Sequence, residues 1–370
     1  MIRKFLAFDF LLFFTVLLLV GFGIVALWSI FYYSDSFTNT IFVKHLSYVG
    51  IGIGLFVLFG VLDYSFLQSY STFLYFFTIG ILIATLLFGT TLRGTSGWLN
   101  LGFASFQPVE IVKVFMIIFL AHFISKKRGE LGEMTTIIIS FILTAVVGFL
   151  ILLQPDFGSA LVVFGIWFGM IFVSGIKKRY LLAFVMFGAI FAIIAWSLFA
   201  PYQRARIINF LHPELDPQGT GYNVLQSIIA VGNGGMLGQG FGYGTQSQLN
   251  FLPEKHTDFI FATITESVGF FGVLILFGLF GILFTRFYFI AKNARDAFGY
   301  FLVVGVMVLF FIHFTVNVGM NIGVMPVTGI PLPLISYGGS SLLSVMISCG
   351  IVMSVYLRRE VTVKNYIESY

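Results

Sequence analysis

Apolar runs, each about as long as a bilayer is thick, recur along almost the whole of this 370-residue chain. A spanning helix needs about 20 mostly apolar residues. Such runs fall near 8–32, 45–62, 72–89, 108–125, 134–153, 157–175, 180–199, 258–285, 297–319 and 341–357. In hydrocarbon, each backbone N–H and C=O must be satisfied within the protein, so runs of this length become helices. The spaces between them are charge-poor. Only 9% of residues are Asp, Glu, Lys or Arg, where a soluble domain carries roughly a quarter. The chain therefore reads as all-α: one polytopic integral membrane domain over 1–370 with about ten transmembrane helices.

Charge placement orients the bundle. With ten helices and a cytoplasmic N-terminus, both termini lie in the cytoplasm. Arg3 and Lys4, Lys126-Lys127-Arg128, Lys177-Lys178-Arg179, Arg286, Lys292, Arg295, Arg358, Arg359 and Lys364 then fall inside. Lys44, Arg93, Arg204, Arg206 and Lys255 fall outside. This asymmetry satisfies the positive-inside rule. The formal charge of +5 is thus a topological signal and gives no reason to expect nucleic acid as a partner. Arg3-Lys4 leads into an apolar run longer than a signal-peptide core, which reads as a retained first helix. One cysteine, Cys349, excludes an intrachain disulfide. The one long polar stretch, about 201–257, is extracytoplasmic in this topology. Its apolar pieces suggest short helices lying at the membrane surface.

In so charge-poor a chain, an acid beside an apolar run is a functional candidate. Asp258 follows Leu252-Pro253-Glu254-Lys255-His256-Thr257 and precedes Phe259-Ile260-Phe261. It reads equally as a helix cap, because acids favour helix starts. Glu110 and Lys113 are three residues apart on one helix, so they can pair and wall a water-filled interior, with Lys113 open to an anionic substrate. Asp156, in Gln154-Pro155-Asp156, reads first as a turn and cap. Glu266 lies two turns beyond Asp258 and needs a partner that sequence does not name. His256 is an orienting or binding candidate, although a solvated loop histidine is commoner. The Gly-rich run 232–244 lacks the strand and the Gly-Lys-Ser/Thr of a phosphate loop, so its glycines are expected to serve tight turns or close approach to a lipid headgroup. Prolines and glycines cluster in Gly329-Ile330-Pro331-Leu332-Pro333-Leu334-Ile335-Ser336-Tyr337-Gly338-Gly339. They mark an irregular segment, tolerated at membrane depth only when buried or lining a cavity.

Several of these segments together resemble the SEDS family, the shape, elongation, division and sporulation proteins of bacteria. The resemblance rests on Gln107-Pro108 with Glu110 and Lys113, on Gln154-Pro155-Asp156, and on Arg206, Gly221-Tyr222 and Gln226-Ser227. The most specific stretches are 252–261 and Leu332 through Ser340. Gly97, Val109 and Ile229 depart from the family's pattern. Gly244 through Leu249 is more similar to the elongation members than to the division members.

The resemblance implies a peptidoglycan glycosyltransferase of the bacterial inner membrane that polymerises lipid II in cell elongation. Asp258 matches the family's proposed catalytic residue. Glu110, Lys113, Arg206, Gln226, Ser227, His256, Ser336 and Tyr337 are the candidate substrate contacts, and Asp156 and Glu266 are candidate cavity or structural acids. A class B penicillin-binding protein and other elongation-complex membrane proteins are the implied partners. No cofactor motif is evident. A divalent cation, Mg or Mn, or basic groups such as Arg206 and Lys113, could offset pyrophosphate charge, although no metal-ligand spacing is visible. The competing readings are a flippase for lipid-linked sugar, a division-type polymerase, and a silent scaffold that recruits the cross-linking enzyme.

Overall fold

The computed structural model describes residues 8–31, 38–92, 95–100, 105–127, 134–177 and 219–359, with isolated positions at 102, 180, 186, 204, 208–212 and 216. Its helices are α1 (Phe10–Phe31), α2 (Thr38–Val61), α3 (Tyr64–Phe88), α4 (Pro108–Lys126), α5 (Met134–Leu152), α6 (Phe157–Val173), α7 (Thr220–Asn233), α8 (Thr245–Gln248), α9 (Ile260–Lys292), α10 (Ala297–Asn321) and α11 (Gly339–Leu357). Eight of these are long and apolar enough to cross a membrane, and α6 is a shorter apolar helix of 17 residues. The helix expected near 180–199 lies outside the described residues except at positions 180 and 186. The 201–257 loop holds α7 and α8, the short helices its apolar pieces suggest.

One feature departs from an all-helical chain. Between α3 and α4, strands β1 (Thr90–Leu92), β2 (Thr95–Asn100) and β3 (Ser105–Phe106) form a small antiparallel sheet in the order β1-β2-β3. The sheet is too short to leave an alternating hydrophobic pattern, and it carries Trp98.

Burial sorts the helices into inner and outer members. In its most apolar stretch α4 is 72% buried, whereas α2 is only 22% buried. The helix with the intramembrane charges is therefore an inner one, packed on α3, α10 and α6. α10 and α11 are also mainly buried. The outer faces of α2, α3 and α9 are stripes of exposed Phe, Leu, Ile and Val, including Phe73, Phe76 and Ile275, as a lipid-facing surface requires.

Polar contacts gather at the two ends of the bundle. At one end Asp9 pairs with Arg286, Asp63 with Arg358 at 3.0 Å, and the Tyr64 hydroxyl donates to Asp296 at 2.8 Å. At the other end sit the sheet, the 322–338 segment and the start of α9.

α9 is broken near its start. Gly269 has φ +66° and ψ −167°, which separates Ile260–Val268 from the long remainder. Such a break frees backbone groups that lipid cannot satisfy. The Gly-rich loop supplies partners. The amides of Gln239 and Gly240 donate to the carbonyls of Glu266 and Ser267 at 2.9 and 3.0 Å. The amides of Phe270 and Phe271 donate to the carbonyls of Gly235 and Met236 at 2.9 and 3.2 Å. The loop must lie backbone against backbone to do this. A Cβ on Gly269 would stand 2.2 Å from the Gly238 amide nitrogen.

Gly269→Ala is expected to be severely destabilising, by about 2 kcal/mol or more, from backbone strain alone. Gly281→Ala lies in the same helix, where a Cβ meets nothing within 4 Å. It should leave stability unchanged or slightly improved. Thermal unfolding of both variants in detergent checks the contrast.

Candidate active site

Most of the described aspartates do the same local task. Asp9, Asp63, Asp156 and Asp296 accept from the backbone N–H groups of Leu12, Ser65, Ser159 and Gly299 at 2.7–3.0 Å, each at a helix start. A carboxylate there satisfies an orphan N–H and meets the positive end of the helix. Asp258 stands apart from this pattern. α9 takes Phe259 as its N-cap, with no side-chain cap bond.

Asp258 instead lines a cavity of about 170 Å³ at the sheet end of the bundle. Glu110 and Lys113 reach it from α4, Trp98 from the sheet, and Asp156 and Ser159 from the start of α6. Residues 327–331 and 337–341 supply the facing wall. Gly329 (φ +73°) is part of that wall, and a Cβ there would sit 3.6 Å from Asp258 Oδ2. The irregular segment thus brings bare backbone up to the carboxylate. Lys113 Nζ donates to Glu110 Oε1 at 2.8 Å, and both side chains are almost fully buried. The indole N–H of Trp98 and the hydroxyl of Thr328 are buried with no hydrogen-bond partner among the described residues.

Three polar residues on α10, spaced four apart, hold the site's backbone. Asn321 Nδ2 donates to the Asp258 carbonyl at 3.0 Å, and its Oδ1 accepts the Ala262 amide at 3.0 Å. Asn317 Nδ2 donates to the carbonyls of Asp258 and Ile330 at 3.0 and 2.8 Å. His313 Nδ1 lies 3.2 Å from the Pro331 carbonyl. One helix face therefore fixes both the start of α9 and the segment opposite it.

Of the candidates read from sequence, Asp258, Glu110, Lys113, Asp156 and Tyr337 meet around the cavity. Ser336 lies behind its wall, where Oγ donates to the Thr257 carbonyl at 2.7 Å and accepts the Leu332 amide at 2.9 Å. His256 packs its ring on Tyr337 at 5.7 Å, and its carbonyl accepts the Tyr337 amide at 2.9 Å. Ser227, on α7, donates to the Asn321 carbonyl at 2.8 Å; its neighbour Gln226 does not line the cavity. Arg206 lies outside the described residues.

Glu266 finds its partners in the loop before it. Its carboxylate accepts the amides of Gln246 and Ser247 at 2.8 and 3.1 Å. Nearby, Lys255 donates to the Ser247 carbonyl and to Asn250. Burial lowers the Lys255 pKa, partly countered by the Glu266 charge. Asp156 combines its cap with a second bond from Gln107 Nε2 at 3.3 Å. Gln107 entered the sequence reading only as part of the family resemblance, and Trp98, Ser159, Thr328 and the α10 residues were not named as site candidates. The four-residue spacing of His313, Asn317 and Asn321 is the one sequence signal of the α10 residues.

Among the described residues, no group of three or more His, Cys, Asp or Glu could hold a metal ion. The cavity's acids are committed elsewhere in part, Glu110 to Lys113 and Asp156 to α6. The described side chains do not make a resident metal site.

Membrane-crossing helices that gather a carboxylate, a buried lysine and unpartnered donors at one end define a polytopic membrane protein with a polar cavity at one end of its bundle. The chain belongs to the cell cycle protein family that groups FtsW, RodA and SpoVE, whose model matches residues 9–360. It is 38% identical to the peptidoglycan glycosyltransferase MrdB of Escherichia coli K12, over 87% of each chain. It is 31% identical to the peptidoglycan glycosyltransferase RodA of Treponema pallidum, covering 95% of this chain and 98% of that one. Among solved structures, a chain of a peptidoglycan synthase complex that coordinates polymerization and crosslinking superposes with TM-score 0.81 at 32% identity, covering 96% and 99% of the two chains. Thermus thermophilus RodA superposes with TM-score 0.71 at 29% identity, covering 96% and 98%.

Asn321→Leu keeps the branching of the side chain at Cγ and removes its amide. The Ala262 N–H loses its acceptor and the Asp258 carbonyl one of its donors. A loss of about 1–3 kcal/mol is expected, read as a lower unfolding temperature of the purified protein.

Proposed function

We propose that this chain is a peptidoglycan glycosyltransferase that polymerises lipid II at the extracytoplasmic face of the bacterial inner membrane, in the elongation role of RodA. The observation that carries the reading is the cavity itself. Asp258 lines it without capping α9, and the buried Lys113 and two unpartnered donors, Trp98 and Thr328, line it too.

The chemistry follows from the substrate. A sugar hydroxyl of one lipid-linked saccharide attacks C1 of another. The new C1–O bond forms as the bond from C1 to the pyrophosphate oxygen breaks, and the polyprenyl pyrophosphate leaves. Asp258 takes the hydroxyl proton as general base, a role typically worth about 10²–10⁴-fold. Lys113 offsets negative charge as the pyrophosphate departs. Trp98 N–H and Thr328 O–H are donors suited to sugar hydroxyl or acetamido oxygens. A prenyl tail remains in lipid while its headgroup reaches such an end-on cavity. No step is routed through a metal ion, because the described side chains offer no ligand set of their own.

The orientation rests on charge. Arg286, Arg295, Arg358 and Lys126 lie at the end away from the cavity, and the positive-inside rule puts that end in the cytoplasm. The partner follows from chemistry, since a glycan strand needs cross-linking. The chain of similar fold in a synthase complex that couples polymerization to crosslinking supports a class B penicillin-binding protein in that place.

Asp258→Asn keeps shape and removes the base. Purified protein carrying it should polymerise lipid II at least about 100-fold more slowly than wild type, with an unchanged unfolding temperature. Near wild-type glycan synthesis by the folded variant would rule out the general-base role.

A further inference from the structure

His313 is almost completely buried in the middle of α10 and does not line the cavity. Its two ring nitrogens nevertheless touch two parts of the site. Nε2 lies 3.4 Å from Lys113 Nζ, and Nδ1 lies 3.2 Å from the Pro331 carbonyl. The partners dictate the proton's place. A lysine ammonium has donors only, so Nε2 must accept. A carbonyl only accepts, so Nδ1 must carry the hydrogen. Both contacts are satisfied together by one species, the neutral imidazole with its proton on Nδ1.

That arrangement completes a chain of contacts. The Glu110 carboxylate holds Lys113 from one side at 2.8 Å, and His313 meets it from another. Through Pro331, the same ring ties the ammonium to the wall that carries Gly329 against Asp258. Glu110 and Lys113 belong to one helix and would by themselves fix the lysine only relative to α4. The histidine relates it to the opposite wall.

We infer that His313 is a positioning residue that acts through Lys113, aiming its ammonium into the cavity and locking it in register with the irregular segment facing Asp258. The inference rests on the reading of this cavity as the polymerase site. Positioning of a cation that meets a leaving pyrophosphate matters most where that charge develops, in the transition state, so its loss falls on kcat more than on KM.

The two carboxamide substitutions separate the ring's two contacts. In His313→Gln the amide oxygen reaches about where Nε2 stood and can still accept from Lys113. In His313→Asn the amide nitrogen reaches about where Nδ1 stood; it keeps the Pro331 bond and abandons the lysine. A merely structural role predicts losses of activity that track the loss of stability, larger for the shorter Asn because it leaves the larger cavity.

With purified full-length protein and lipid II, His313→Gln should keep kcat within about threefold of wild type, and His313→Asn should lose at least about tenfold, since a hydrogen bond to a charged group is at stake. KM should move less than about threefold in both. Equal kcat in the two variants, or losses that track unfolding temperature, would overturn the inference. Nitrogen NMR of ¹⁵N-histidine-labelled protein provides a readout that does not depend on turnover. The His313 signals, assigned by their disappearance in His313→Gln, should show an unprotonated Nε2 and a protonated Nδ1. The opposite tautomer overturns the inference even if wild-type protein polymerises nothing, an outcome that would itself sink the polymerase reading.

Discussion

A backbone that leaves helical geometry inside a membrane protein must have its N–H and C=O groups satisfied by the protein itself. Two stretches here do so, the start of α9 and the 322–338 segment, and they meet at the cavity. The polar face of α10 answers for both. Asn317 alone accepts responsibility for two carbonyls, one from each stretch. Without those amides the carbonyls of Asp258 and Ile330 would be buried acceptors lacking these donors, each costing about 1–3 kcal/mol. The cavity's shape, the exposure of Gly329 backbone and the position of Asp258 all follow from that arrangement.

The same economy governs charge. The acids at helix starts hold their helices in place, and the cationic partners of Asp9 and Asp63 tie the far end together. Glu266 is spent on the amides of α8, and so it anchors the loop that repairs the break in its own helix. Asp258 and the Glu110–Lys113 pair, by contrast, line the cavity.

The helices were legible in the sequence because the bilayer imposes both length and polarity on them. Asp258 was legible for the same reason, as a charge where charge is rare. What sequence left open was whether it capped a helix, and that turned on a single residue of register, with Phe259 taking the N-cap. The partner of Glu266 was hidden because it lies about twenty residues earlier in a loop with no periodicity. The small sheet was hidden because strands of three, six and two residues carry no pattern. The spacing of His313, Asn317 and Asn321 was present in the sequence, but a polar stripe on a buried helix does not say which backbone it serves. The Gly-rich run reads as tight turns or an approach to a lipid headgroup, whereas its close approach is to the backbone of α9 around the break at Gly269.

That break has a mechanical consequence. Bilayers vary in thickness, and a spanning helix answers a mismatch by tilting. The long part of α9 turns one face, including Leu274 and Ile275, to lipid and packs the other on α1 and α10. The short part before Gly269 is fastened to α10 by Asn321 and to the glycine loop by backbone bonds, and it carries Asp258. With the helix broken at Gly269, a tilt of the long part need not carry the Asp258 carboxylate with it.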